Sequence, residues 1–199
     1  MIGLGIIEET EVEERRMVLY IHGFASSGRG EKARMVRNHF GKKSLAPTLS
    51  HIPDLALDTL SQIVERILIH EPVYLIGSSL GGFYAIELAE LYDLKAVLVN
   101  PATEPHKTLT QTGMVPNFYD LSRFEWSPSH IETLKRIRIE TIGKPEKYLV
   151  LLQTGDDVLD YRVAKERLKG AKMIIEEGGS HVFKGFENHL KTIENFFES

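Results

Sequence analysis

Short, continuous apolar runs alternate along the chain with longer stretches in which apolar residues recur every three or four positions. The runs are Met17-Val-Leu-Tyr-Ile21, Val73-Tyr-Leu-Ile76, Lys95-Ala-Val-Leu-Val99, Tyr148-Leu-Val-Leu-Leu152 and Ala171-Lys-Met-Ile-Ile175. Their length and β-branching mark them as buried strands. Ser44-Leu-Ala46, stopped by Pro47, reads as a short edge strand. Between the runs, helical spacing predicts helices over Glu31–Phe40 (closed by Gly41), Leu80–Tyr92 and Tyr161–Leu168. Another spans Asp54–His70, with Leu55, Leu57, Leu60, Ile63, Val64, Ile67 and Leu68 at helical spacing and Asp54 as N-cap after Pro53. A terminal helix is expected over Phe183–Phe197, with a stripe through Phe186, Leu190, Ile193 and Phe197.

Strand and helix thus alternate about five times. That order predicts an α/β fold with a mostly parallel sheet of about five to six strands flanked by helices on both faces. Ligands of such sheets bind beyond the carboxyl ends of the strands, so residues that carry chemistry should fall just after strands. Two segments depart from the alternation. Residues 101–145 hold five of the eight prolines and the single tryptophan, Trp126, and read as a cap-like insertion. Within it, Ser127-Pro128 forms an N-cap and first helical position, and Ile131, Leu134 and Ile137 share a face. Residues 1–16 are apolar and then densely charged, and read as a flexible extension or an edge strand.

The 199 residues are read as a single domain, and 42% hydrophobic content suffices for one core. Twenty-four Lys and Arg against 28 Asp and Glu give a net charge of −4, which argues against nucleic acid or an anionic membrane as the main partner. No apolar stretch approaches a membrane span, and no signal peptide is evident. The absence of cysteine excludes disulfides, thiolate metal sites and a cysteine nucleophile, and fits a reducing compartment; a cytoplasmic protein is expected.

The sharpest local feature is Gly77-Ser-Ser-Leu-Gly81, a Gly-x-Ser-x-Gly pattern between a predicted strand and a predicted helix. Only Ser79 has the required spacing. A serine on such a turn lifts its hydroxyl above the sheet, and the helix that follows aims free N–H groups at the reaction centre. An ordinary turn with a cap serine would need nothing more of the chain, whereas a nucleophilic serine needs a base. Of eight histidines, His181 follows the last predicted strand within Glu177-Gly-Gly-Ser-His-Val-Phe183. His39, His70 and His189 fall on predicted helices and read as surface residues, and His51, His106 and His130 are weaker candidates. His22 reads as a loop-ordering residue first, with a direct role at the adjacent site as the lesser alternative.

The base needs an orienting carboxylate. Asp156, directly after Gly155 in the turn following Tyr148–Leu152, is the first choice; Asp157 is its rival, and Asp160 reads as the N-cap of the next helix. The chain order Ser79, Asp156, His181 is that of hydrolases built on this kind of sheet. The oxyanion would take its N–H donors from Leu80 and from Phe24, in the loop His22–Gly28. The glycines form neither a P-loop nor Gly-x-Gly-x-x-Gly, and the histidines lack metal-ligand spacing, so no cofactor and no metal are expected.

These motifs resemble the α/β-hydrolase fold, and within it the small YqiA-like esterases. The stretches that carry the likeness are Leu19-Tyr-Ile-His-Gly-Phe24, Ile76 to Ala85, Val99-Asn-Pro-Ala102, Leu151 to Tyr161 and Glu177 to Glu187. The resemblance implies Ser79 as nucleophile, Asp156 as acid and His181 as base. It also implies cleavage of carboxylic esters, with a small-molecule acyl ester or thioester as partner. An acyl-CoA thioesterase or acyltransferase would use the same three residues, and a non-catalytic interaction module would use none. The residues that bind the substrate are not assigned by the sequence.

Overall fold

A computed structural model describes residues 16–199; the proposed extension over residues 1–16 therefore lies outside the described residues, Arg16 excepted. Six strands form one sheet: β1 (Met17–Ile21), β2 (Ser44–Leu45), β3 (Val73–Ser78), β4 (Lys95–Val99), β7 (Tyr148–Gln153) and β8 (Lys172–Glu176). Their order is β2-β1-β3-β4-β7-β8, and every pairing is parallel. The mostly parallel sheet expected from the sequence is thus wholly parallel.

The apolar runs follow from this placement. Leu19 and Ile21 of β1, Leu75 of β3, Leu98 of β4 and Val150 of β7 face one core. Their alternates Val18, Tyr20, Ile76, Val97 and Leu149 face the other. Both faces of the central strands are covered, so no position is left for water and the sequence does not alternate. The first core takes apolar residues from α2 (Pro53–Leu68), α3 (Leu80–Tyr92) and α6 (Tyr161–Arg167). The second is closed by α1 (Glu31–Phe40) and α7 (Leu190–Glu198). Ten consecutive residues of α3, Leu80 to Ala89, are buried, which makes it the central helix of the molecule.

After β1 the chain turns to α1 on one face; after β3 it turns to α3 on the other. Where neighbouring strands send their connections to opposite faces, a crevice opens above their carboxyl ends. Between β4 and β7 the chain runs through α4 (Pro105–Thr108), an antiparallel hairpin of β5 (Gly113–Pro116) and β6 (Arg123–Trp126), and α5 (Pro128–Ile137). Ser127 is the N-cap of α5, with Pro128 in the first turn. Trp126 is buried, and its indole N–H donates to the Leu109 carbonyl at 3.0 Å.

Two expected helix starts move. Pro53 is itself the first residue of α2, which makes Ile52 the N-cap in place of Asp54; proline suits that position because its missing N–H has no intrahelical acceptor to lose. The terminal helix starts at Leu190, seven residues later than its apolar stripe suggested, after a 3-10 turn over Phe186–His189. Phe183 and Gly185 have φ of 58° and 76°, which no right-handed helix admits. Lys184 between them is bonded through both backbone groups to Gln153.

Candidate active site

Ser79 occupies the turn between β3 and α3 with φ 55° and ψ −122°. This strained conformation is held by three bonds: Ser79 N–H donates to the Val99 carbonyl, and the Ser79 carbonyl accepts from Gly82 and Ala102. Glycine is required around it for lack of room. A β-carbon at position 81 would sit 2.0 Å from the Ile21 carbonyl oxygen, and one at position 23 would sit 3.1 Å from Ser79 Cβ. The loop after β1 and the turn after β3 therefore approach each other backbone to backbone.

The three residues singled out by chain order meet in space. Ser79 Oγ lies 2.9 Å from His181 Nε2, and His181 Nδ1 lies 2.9 and 3.0 Å from the two oxygens of Asp156. With Asp156 ionised, Nδ1 carries the proton and Nε2 accepts from the serine hydroxyl. The Asp156 side chain is 2% exposed. Burial alone would raise its pKa. The bond from His181 and those from the Leu159 and Val158 N–H groups, at 2.8 and 2.9 Å, outweigh burial and hold the carboxyl below its ordinary value. The imidazole's hydrogen bonds go to Asp156 and Ser79, whereas Asp157 accepts from the His181 backbone N–H at 3.4 Å. Asp160 caps α6, accepting from Arg162 N–H at 3.0 Å.

Four of the other histidines, His22, His51, His130 and His189, are engaged elsewhere. His22 is buried; its Nδ1 donates to the Gly23 carbonyl at 2.8 Å and its Nε2 accepts from Leu49 N–H at 3.0 Å. Burial lowers its pKa, against the opposing pull of the Gly23 bond. A neutral ring that joins two loops is an ordering element. His51 stacks on Phe124, and His130 Nδ1 accepts from Ser127 N–H at 3.3 Å. His106 lies in α4, with its pKa lowered chiefly by burial. His189, expected at the surface, instead packs on Phe183 and bonds Glu176 at 2.9 Å; the late start of α7 turns its ring inward.

Sequence reasoning missed the residues that hold the His181 loop. Asn100, buried and at φ 39°, donates from Nδ2 to the carbonyls of Ser180 (3.0 Å) and His181 (3.2 Å) and accepts at Oδ1 from Gln153 N–H. Gln153, also buried, accepts at Oε1 from the N–H groups of Ser180 and Lys184, both at 3.0 Å. Its Nε2 donates to Glu176 and to the Lys184 carbonyl. The only available signal was a polar amide at the carboxyl end of each of two apolar strands.

Phe24 and Leu80, named from the sequence as amide donors, both border a cavity of about 290 Å³. Leu80 opens α3, where N–H groups have no intrahelical acceptor. The cavity is closed on one side by Phe124 of β6. Among the described residues, no group of three His, Asp or Glu could hold a metal ion, and no helix is long and apolar enough to cross a membrane.

Comparisons with known proteins agree with this architecture. A family model described as "Uncharacterised protein family (UPF0227)" matches residues 17–198. A UPF0227 protein of Vibrio campbellii is 26% identical over 190 residues, covering 90% of this chain and 98% of its own. Among solved structures, a putative hydrolase from Agrobacterium vitis S4 superposes with TM-score 0.71 at 16% identity, covering 92% of this chain and 88% of that one. Est1E from Butyrivibrio proteoclasticus superposes with TM-score 0.69 at 17% identity, covering 94% and 88%. At such identities the likeness establishes the fold. The chain belongs to the UPF0227 family, of the YqiA-like type read from its motifs, and has the α/β-hydrolase fold.

Proposed function

We propose that this protein is a hydrolase that cleaves carboxylic esters through Ser79, His181 and Asp156. The observation that carries this reading is the unbroken line of contacts from the serine hydroxyl through the imidazole to a buried carboxylate. The fold shared with proteins named as hydrolases and esterases supports the same class.

In this reading, Ser79 Oγ attacks the ester carbonyl as His181 Nε2 takes its proton, and Asp156 stabilises the resulting imidazolium. The N–H groups of Phe24 and Leu80 receive the oxyanion. His181 returns the proton to the departing alkoxide oxygen, leaving an acyl-serine. Water then attacks that acyl group with His181 again as base; the acid is released and Ser79 recovers its hydrogen. Residues 101–145 serve as a cap over the crevice of a single domain.

A panel of p-nitrophenyl esters of increasing acyl length tests the proposal. Ser79→Ala should reduce turnover roughly 10⁴-fold or more, with an unchanged thermal melt. A variant as active as the parent would refute it.

A further inference from the structure

We infer that the tip of the β5–β6 hairpin docks onto zwitterionic lipid surfaces, entering the headgroup layer with Phe118, Tyr119 and Leu121. This property goes beyond the hydrolase reading and does not depend on it.

Residues 114–121 hold four of the large apolar side chains that the protein leaves in water: Met114, Phe118, Tyr119 and Leu121. Phe118 is 72% exposed and Leu121 is 78% exposed. Leu121 also stands at φ 62°, in the left-handed region that disfavours a residue with a β-carbon. Turn chemistry alone would place Gly or Asn there. The loop instead carries backbone strain and turns a leucine into solvent, a combination that marks a site with a task.

The backbone of the tip is also built without need of water. An exposed loop can leave its N–H groups to solvent, but five of the six amides of residues 117–122 are bonded inside the protein. Asn117 N–H donates to the Ser122 carbonyl at 2.7 Å, Phe118 N–H to the Ala25 carbonyl at 2.7 Å, and Leu121 N–H to the Asn117 carbonyl at 2.9 Å. Tyr119 N–H donates to Asn117 Oδ1 at 2.8 Å, and Ser122 N–H donates to Asp120 Oδ1 at 3.0 Å. Backbone groups satisfied in this way are what a lipid surface demands of a segment that leaves water. Asn117 Nδ2 donates in addition to the Ser26 carbonyl at 3.3 Å, so the loop after β1 holds the tip in place.

Size and charge select the occupant. The four side chains offer on the order of 500 Å² of apolar surface. Each partner in a stable protein pair contributes about 800 Å². A lipid surface sets no such minimum, because single aromatic and leucine side chains enter the headgroup layer. Arg123 is the one cation between Gly113 and Trp126, against Asp120 and Glu125, and the whole chain carries a net −4. Anionic lipid therefore finds no basic cluster on the hairpin, whereas zwitterionic lipid needs none.

Flotation of the full chain with phosphatidylcholine vesicles tests the inference. The parent should float with the vesicles, and so should Ser79→Ala, whatever becomes of the hydrolase reading. The double variant Phe118→Ser, Leu121→Asn should bind at least about tenfold more weakly, since two exposed apolar side chains are lost. Asn tolerates the left-handed backbone at position 121, and an unchanged thermal melt shows that the fold persists. Adding phosphatidylglycerol to the vesicles should not strengthen binding. A parent that remains in the lipid-free fractions, or binding untouched in the double variant, overturns the inference. So does binding that appears only with phosphatidylglycerol and vanishes in high salt. A parent that dimerises in sedimentation velocity, with a double variant that does not, gives the tip to a second copy of the chain and overturns it as well.

Discussion

Asp156, at the rim of the sheet, and Glu87, where α3 meets the segment after α5, are both carboxylates largely removed from water. The Asp156 side chain is 2% exposed and Glu87 is 5% exposed. Their pKa values move in opposite directions. Asp156 is held below the ordinary carboxyl value, because His181 and two backbone N–H groups overcome the effect of burial. Glu87 is pushed up to about 8: burial dominates, and one bond from the Ile139 N–H with two nearby arginines does not offset it. Those arginines are committed elsewhere. Arg138 pairs with Glu140, and Arg167 donates to the carbonyls of Ile139 and Glu140. A buried carboxylate stays ionised when donors are aimed at its oxygens, not when cations are merely close. Of these two sites, it is the one at the rim that carries such a set of donors.

The comparison can be broken most severely at Asp156. Asp156→Asn keeps the shape but replaces the charged acceptor of the imidazole proton, and kcat should fall roughly 10³- to 10⁴-fold. Steady-state kinetics with a p-nitrophenyl ester measures this, and circular dichroism checks that the fold persists. A smaller loss is expected at the residues that hold the His181 loop. Gln153→Ala removes the acceptor shared by Ser180 and Lys184, so the imidazole should drift. A misplacement of about 1 Å costs on the order of 10²-fold, and it should appear in kcat with KM little changed. A merely weakened fold would lower the amount of active enzyme without changing the pH profile of the remainder, whereas a displaced imidazole alters it.

At Glu87 the expected effect is on stability. Its folded pKa of about 8 lies above the unfolded value of 4.5. The folded state therefore binds the proton more tightly, and the stability Glu87 contributes is fully present below about pH 4.5 and is lost as pH rises towards 8. Glu87→Gln should flatten that decline, raising the melting temperature at pH 8 relative to the parent by about 4 °C or more. Melts across pH 5 to 9 read it directly, and parallel curves for parent and variant would contradict the account. The smallest effect belongs to Asp157→Asn, which touches only a long backbone bond; kcat should stay within about threefold, as for an ordinary exposed position.

Legibility from sequence followed the range of the interactions. The strands and most helices were readable because burial and local spacing fix them residue by residue. Ser79, Asp156 and His181 were readable because each sits at a strand end within a recognisable turn, and the parallel sheet brings strand ends together. The start of α7 was not readable. Its apolar stripe continues back through Phe186 and Phe183, but Lys184 is held by Gln153, 31 residues away in the chain. Asn100 was present in a matching motif yet had no assigned task, since its partners lie 80 and 81 residues downstream. The cavity bordered by Phe24 and Leu80 joins the loop after β1 to the β5–β6 hairpin, and no local pattern marks such a meeting.

The central claim is that Ser79 is a nucleophile made reactive by His181. Treating the protein with a fluorophosphonate and mapping the adduct by peptide mass spectrometry tests it most directly. The account predicts one adduct, on Ser79 in the peptide containing Gly77 to Gly81, absent in Ser79→Ala and formed far more slowly in His181→Ala. An unmodified Ser79, or labelling at an equal rate in His181→Ala, would contradict it.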